Sequence, residues 1–264
     1  MTSIVSTVHA RTLVLAAGFL PALATACSGS HSVQDPTTPA RQVHVRAPEK
    51  ESRPTPLHEL STGALTAPVQ DAAAAGLGGN RVLLLGGLNS ADASTDTVAL
   101  VSGRHASLVG RLPVALHDSA AVSLGRNVYL FGGGDGVRQL DAILRVDPRS
   151  GASAPAGRLP APSSDQSAAA IGQTAYVVGG YTGTSWLDTI VAYRPGAGAH
   201  VVGRLPTPVR YAAVAAADGR LVIAGGSLPN GTASSAVLSF EPSTGRVTHL
   251  GELVDTAVGV GVGV

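Results

Sequence analysis

Gly110-Arg111-Leu112-Pro113 returns as Gly157-Arg158-Leu159-Pro160 and again as Gly203-Arg204-Leu205-Pro206, with a worn copy at Gly251-Glu252-Leu253. The copies stand 47, 46 and 48 residues apart. A second phrase keeps the same step: an apolar strand closed by paired glycines. It reads Val82-Leu83-Leu84-Leu85-Gly86-Gly87, Val128-Tyr129-Leu130-Phe131-Gly132-Gly133, Ala175-Tyr176-Val177-Val178-Gly179-Gly180 and Leu221-Val222-Ile223-Ala224-Gly225-Gly226. Two separate phrases on one period mark a repeat architecture, in which stacked units share a continuous core.

One unit, residues 111–157, shows the content of the repeat. Ser119-Ala120-Ala121-Val122-Ser123-Leu124 is a strand of small apolar residues, and Gly125-Arg126-Asn127 turns it. Val128 to Phe131 is a second strand, stopped by the glycine pair. After a polar loop, Ala142-Ile143-Leu144-Arg145-Val146 is a third strand, and Asp147-Pro148-Arg149-Ser150-Gly151 is a hairpin turn. A short fourth strand begins at Ser153 and leads to Gly157. Four antiparallel strands with tight turns make one blade of a β-propeller. The alanine runs Ala72 to Ala75, Ala120-Ala121, Ala168 to Ala170 and Ala212-Ala213 suit the narrow centre, where blades converge. Turns on either side leave no room for a helix of useful length.

The paired glycines, and the turn Phe240-Glu241-Pro242-Ser243-Thr244-Gly245, resemble kelch repeats of the galactose-oxidase central-domain type. Tyr193-Arg194-Pro195-Gly196 and Val146-Asp147-Pro148 are weaker versions of the turn. The resemblance covers about residues 60–264 and implies an all-β kelch-type propeller. Its four complete four-stranded blades run over about 64–110, 111–157, 158–203 and 204–251, with a fragment of a fifth at 252–264. Kelch units usually carry a tryptophan early in strand four. Here Ser153, His200, Val247 and a small residue near Ala106 hold that place, so reduced packing between blades is expected. Kelch rings usually have six or seven blades. Four and a fraction leave a gap or force an unusually small ring; a shortened gene end and a ring completed by a dimer both stand as readings. The segment Leu57 to Leu65 is expected to supply an outer strand that closes with the tail.

Of 264 residues 13% are charged, for a net charge of +1, so no basic stripe of the kind nucleic acid needs is present. The single cysteine excludes an internal disulfide framework and multi-cysteine metal sites. It lies in a leader, residues 1–27, with Arg11, an apolar run from Leu13 to Leu23 and small residues before Cys27. Leu23-Ala24-Thr25-Ala26-Cys27 resembles a bacterial lipobox, with Ala24 where leucine is usual. The resemblance implies lipidation of Cys27 and a protein held on the outer face of the bacterial cytoplasmic membrane. A plain secretory signal is the other reading. Residues 28–56, punctuated by Pro36, Pro39, Pro48, Pro54 and Pro56, read as a disordered tether.

No metalloprotease, nucleophile-elbow or P-loop motif occurs, and the glycine clusters lack the following helix of a phosphate site. Polar residues recur before each inner strand: Gln70-Asp71, His117-Asp118, Ser164-Asp165-Gln166 and Arg210-Tyr211. In a propeller they gather near one mouth of the central channel. Asp71, His117, Asp118, Asp165, Arg210 and Tyr211 are therefore candidate ligand-binding residues, or simply solvent-facing polar ones. The loops after the glycine pairs offer a second surface, with Asn89, Asp92, Asp135, Tyr181, Trp186 and Asn230. Tyr181 and Trp186 are candidate anchors for a sugar or protein partner, or packing against the neighbouring blade.

The leading expectation is a non-catalytic, surface-anchored propeller that binds a protein or glycan, with no cofactor and no metal. The alternative is a sugar isomerase resembling sialate mutarotases, which use polar channel residues without metal. Copper chemistry of the galactose-oxidase kind needs a tyrosine cross-linked to a cysteine, which Cys27 in the leader does not supply. A shortened propeller without function is the third reading.

Overall fold

The computed structural model describes residues 63–254, in which every element is a strand. The leader with Cys27, the tether and the tail 255–264 lie outside the described residues. So does most of Leu57 to Leu65. The described part of that segment, from Gly63 on, is not a strand.

Sixteen strands form four antiparallel sheets, each in simple sequence order. Blade one is β1 (Ala73–Gly78), β2 (Arg81–Leu85), β3 (Thr95–Ser102) and β4 (His105–Leu116). Blade two is β5 (Ala120–Leu124), β6 (Asn127–Phe131), β7 (Ala142–Val146) and β8 (Ser153–Arg158). Blade three is β9 (Ser167–Ile171), β10 (Thr174–Val178), β11 (Thr189–Arg194) and β12 (Gly198–Arg204). Blade four is β13 (Ala213–Ala217), β14 (Arg220–Ala224), β15 (Ala236–Glu241) and β16 (Arg246–Glu252). Each blade begins with an alanine-rich strand, and β1, β5, β9 and β13 pack side by side in that order. They line a central cavity of about 530 Å³ with Ala74, Ala121, Ala168 and Ala215. Small side chains are what that crowded position accepts.

The bulky strands β2, β6, β10 and β14 fill the gaps between blades. Leu83, Leu85, Val128 and Leu130 join blades one and two. Phe131, Ile143, Val177 and Tyr193 join blades two and three. Tyr176, Ile190, Leu221 and Phe240 join blades three and four. Among the described residues, four blades thus share three apolar clusters, and none joins blade four back to blade one. Tyr193 meets Tyr129 and Phe131 at centroid distances of 5.4 and 5.5 Å, and Tyr176 meets Phe240 at 6.0 Å. The aromatic contacts expected to be lost with the strand-four tryptophan come instead from the middle strands.

Both repeated phrases have a physical origin. The glycine of Gly-Arg-Leu-Pro falls at an irregularity in the outer strand pair, after Ile143 in blade two and Ile190 in blade three. The arginine pairs with an aspartate at the start of the third strand: Arg111 with Asp96 (2.5 Å), Arg158 with Asp141 (2.7 Å), Arg204 with Asp188 (2.6 Å). The leucines Leu112, Leu159 and Leu205 are buried, each in the cluster its blade shares with the next. In the worn copy, Glu252 replaces arginine and accepts from Ser235, which replaces aspartate. The paired glycines sit where one blade meets the next. Gly132 has φ 56°, and a Cβ there would strike the Ser163 carbonyl of blade three. Its neighbour Gly133 donates its N–H to that same carbonyl at 2.8 Å.

Candidate functional site

Four residues at equivalent places open the inner strands: Asp71, Asp118, Asp165 and Tyr211. All have left-handed backbone, with φ of 53°, 52°, 62° and 55°. Aspartate tolerates that conformation because its short side chain bonds locally; a tyrosine there is strained. In the last three the N–H points to the preceding blade. Asp118 N donates to Asp71 O (3.0 Å), Asp165 N to Asp118 O (2.9 Å) and Tyr211 N to Asp165 O (2.9 Å). A ladder of backbone bonds thus runs around the channel mouth and sets the four side chains in one row.

The residue before each of these forms a bridge with the residue after the glycine pair. Gln70 pairs with Leu88, His117 with Gly134, Ser164 with Tyr181, and Arg210 with Ser227. The loop residue then pairs further on, Tyr181 with Trp186 in blade three. Strand starts and loops, read from sequence as two surfaces, are therefore one surface. The loops of blades one and three also reach the next blade's strand start. Ser94 Oγ lies 2.9 Å from His117 Nδ1. In blade three the same reach brings aromatic rings to Arg210 of blade four. The guanidinium carbon is 4.5 Å from the Tyr181 centroid, 5.1 Å from Trp186 and 5.2 Å from Tyr211. Tyr181 and Trp186 meet edge to face at 5.0 Å. A cation held over ring faces is attracted by their quadrupoles.

Arg210 also lies across the blade boundary from Asp165, with Nη2 2.5 Å from Oδ2. The Asp165 side chain is 2% exposed and that of Arg210 23%. Burial works against the Arg210 charge, but the Asp165 carboxylate and the Tyr211 hydroxyl together outweigh it and hold its pKa above the ordinary arginine value. Oδ2 is paired in charge but sits outside hydrogen-bond alignment. It joins Gln166 Oε1, Trp186 Nε1 and Arg210 Nε as buried polar atoms without a hydrogen bond. Such atoms are rare in folded proteins, and here those of Asp165, Trp186 and Arg210 fall together at the junction of blades three and four. Asp118 is half-buried. Burial, then the Asp165 and Asp71 carboxylates, push its pKa up to about 7, while Arg210 pulls the other way. His117 Nε2 stands 3.8 Å from its Oδ2. Burial foremost, then Asp165 and Asp118, raise the Tyr211 phenol above its ordinary value.

The structure thus brings together Asp71, His117, Asp118, Asp165, Arg210, Tyr211, Tyr181 and Trp186. Asp135 and Asn230 stand in the equivalent loops of blades two and four, and their side chains bond within those loops. Asp135 Oδ1 accepts from Val137 N and Arg138 N, both at 2.9 Å, and these bonds hold its carboxyl below the usual range. Asn230 Oδ1 accepts from Thr232 N at 3.0 Å. Both side chains shape their own loops. Asn89 does likewise through Ala91 N, and Asp92 accepts from Gln70 Nε2 at 2.9 Å. Gln166 stood in the sequence pattern without a role; its Nε2 donates to Phe131 O at 2.7 Å and ties blade three to blade two beneath the mouth. Among the described residues no group of three or more His, Cys, Asp or Glu side chains is placed to hold a metal ion.

Fold and channel mouth define a kelch-like β-propeller. A solved structure, that of YjhT, matches with a TM-score of 0.63 at 14% identity, over 74% of this chain and 69% of that chain. At that identity the likeness establishes the fold and leaves the function to the site. No family model matches the sequence, and no curated protein matches it.

Proposed function

We propose that the protein is a glycan-binding propeller whose site is the channel mouth at blades three and four. One observation carries the reading: Tyr181 and Trp186 flank an arginine that a buried carboxylate fixes in place, beside the half-buried Asp118 and the exposed Asp71. Aromatic faces take the apolar side of a sugar ring, and fixed carboxylates and a guanidinium take its hydroxyls. A neutral polyhydroxyl ligand fits better than an anion, because Asp165 offsets Arg210 and Asp71 and Asp118 remain. The leader and its lipobox-like Cys27 support a binder held outside the cell. Binding of full-length protein to an immobilised glycan panel tests this. Retention of a neutral glycan, lost in the Tyr181→Ala variant, is expected. Retention only of protein ligands would favour a protein-binding module instead.

A second reading, sugar-anomer exchange, is favoured by Asp118. A carboxyl group titrating near 7 can give and take a proton at neutral pH, which ring opening and closure require. Exchange between α and β anomers, followed by NMR, separates the readings. Acceleration lost in Asp118→Asn supports the enzyme, and unchanged exchange leaves a binder.

A further inference from the structure

On the face opposite the channel mouth, the turns of blades one and two enclose a cavity of about 670 Å³. Arg81, Arg126 and Arg149 line it, with Ser123, Asn127 and Asp147. Asp147 is occupied by its own turn, where Oδ1 accepts from Arg149 N at 2.7 Å and Ser150 N at 3.3 Å. Among the described residues none of the three arginines has a carboxylate partner. Arg81 gives only Nε to Gly78 O at 3.4 Å, leaving both terminal nitrogens open. The contrast lies in blade four, where Arg220, which opens β14 as Arg81 opens β2, is paired with Glu241 at 3.0 Å.

We infer that this groove binds an anionic saccharide, carrying sulfate or phosphate groups, independently of the channel mouth. Three guanidinium groups around one concavity focus positive potential, and their planar donors match tetrahedral oxyanions. The cavity is far larger than a single such ion, so a ligand bearing several anionic groups suits it. Asn127 adds a hydrogen-bonding amide for hydroxyls, and Ser123 Oγ, which donates to Gly76 O at 2.6 Å, keeps its acceptor lone pairs. No lining residue is aromatic, which removes the stacking platform that single-stranded nucleic acid uses.

The test is calorimetric titration of full-length protein with a sulfated hexasaccharide, its unsulfated counterpart and vesicles of anionic phospholipid. Binding of the sulfated sugar that weakens as salt rises is expected. The Arg126→Ala/Arg149→Ala variant should bind about tenfold or more weakly, since two charge-assisted contacts are lost. Both arginines are exposed in turns, so its melting temperature should stay near that of the wild type; Arg126→Lys/Arg149→Lys should recover part of the affinity. Unchanged affinity in the double alanine variant overturns the proposal. Equal binding of the unsulfated sugar, or preference for vesicles over the sulfated sugar, overturns it as well.

Discussion

Arg210 of blade four lies 2.5 Å from Asp165 of blade three, and the carboxylate is almost wholly buried. The pair spans a blade boundary, so it serves both the stack and the mouth. A charge left alone in such a place is costly. Arg210→Ala should therefore destabilise the protein by about 3 kcal/mol, because Asp165 loses its partner. Asp165→Asn should cost less, since asparagine tolerates the same backbone and carries no charge. Denaturant melts of the two variants give the comparison, and a smaller loss in Arg210→Ala than in Asp165→Asn would contradict the buried-pair account.

Asp118 carries a pH signature. Its pKa rises from 3.8 to about 7 on folding, so the native state holds its proton more tightly than the unfolded chain does. The stability this contributes is fully present below the unfolded value and is lost as pH rises through about 7. Asp118→Asn should flatten the pH dependence between 4 and 7 and leave the variant the more stable protein at pH 8. Thermal melts across that range measure the effect.

Gly132 joins blade two to blade three at positive φ, with the Ser163 carbonyl where a side chain would begin. Gly132→Ala combines backbone strain with a collision and should cost about 2 kcal/mol or more. Gly219→Ala is the control: its φ is also positive, at 74°, yet nothing lies near its would-be Cβ. The difference in their unfolding midpoints isolates the contact between blades.

Leu159, of the second Gly-Arg-Leu-Pro phrase, is 6% exposed and packs in the cluster between blades two and three. Leu159→Ala should cost about 2–4 kcal/mol through a cavity at that seam. Its neighbour Arg158 makes a surface ion pair with Asp141, and Arg158→Ala should leave the melting temperature nearly unchanged. The buried member of the phrase, not its charged one, supports the fold.

The blades were legible because each carries its own signals. The glycine pair and the alanine-rich inner strand recur in all four blades and the proline turn in the last three, at one step, and local chemistry alone explains them. The row Asp71, Asp118, Asp165 and Tyr211 was legible for the same reason, as polar residues repeated before each inner strand. The union of that row with Tyr181 and Trp186 was not. It depends on how far the loop of one blade reaches over the next, a tertiary distance that no spacing along the chain encodes. The bonds of Asp135 and Asn230 within their own loops were not legible either, because a polar residue in a loop reads the same whether it turns the loop or faces a ligand. The burial of Asp165 against Arg210, which shapes the mouth's electrostatics, likewise depends on neighbouring blades. The aromatic seams of Tyr129, Phe131 and Tyr193 were hidden behind the missing strand-four tryptophan.

Trp186 is the only tryptophan in the chain, and it stands at the proposed site. Its fluorescence therefore reports on the mouth without a label. Titration of full-length protein with a panel of neutral mono- and oligosaccharides is the most direct test of the central claim. The account predicts a saturable change in Trp186 emission for one class of sugar, lost in Tyr181→Ala and weakened in Asp118→Asn. No saturable change with any sugar, or a change that persists undiminished in both variants, would contradict it.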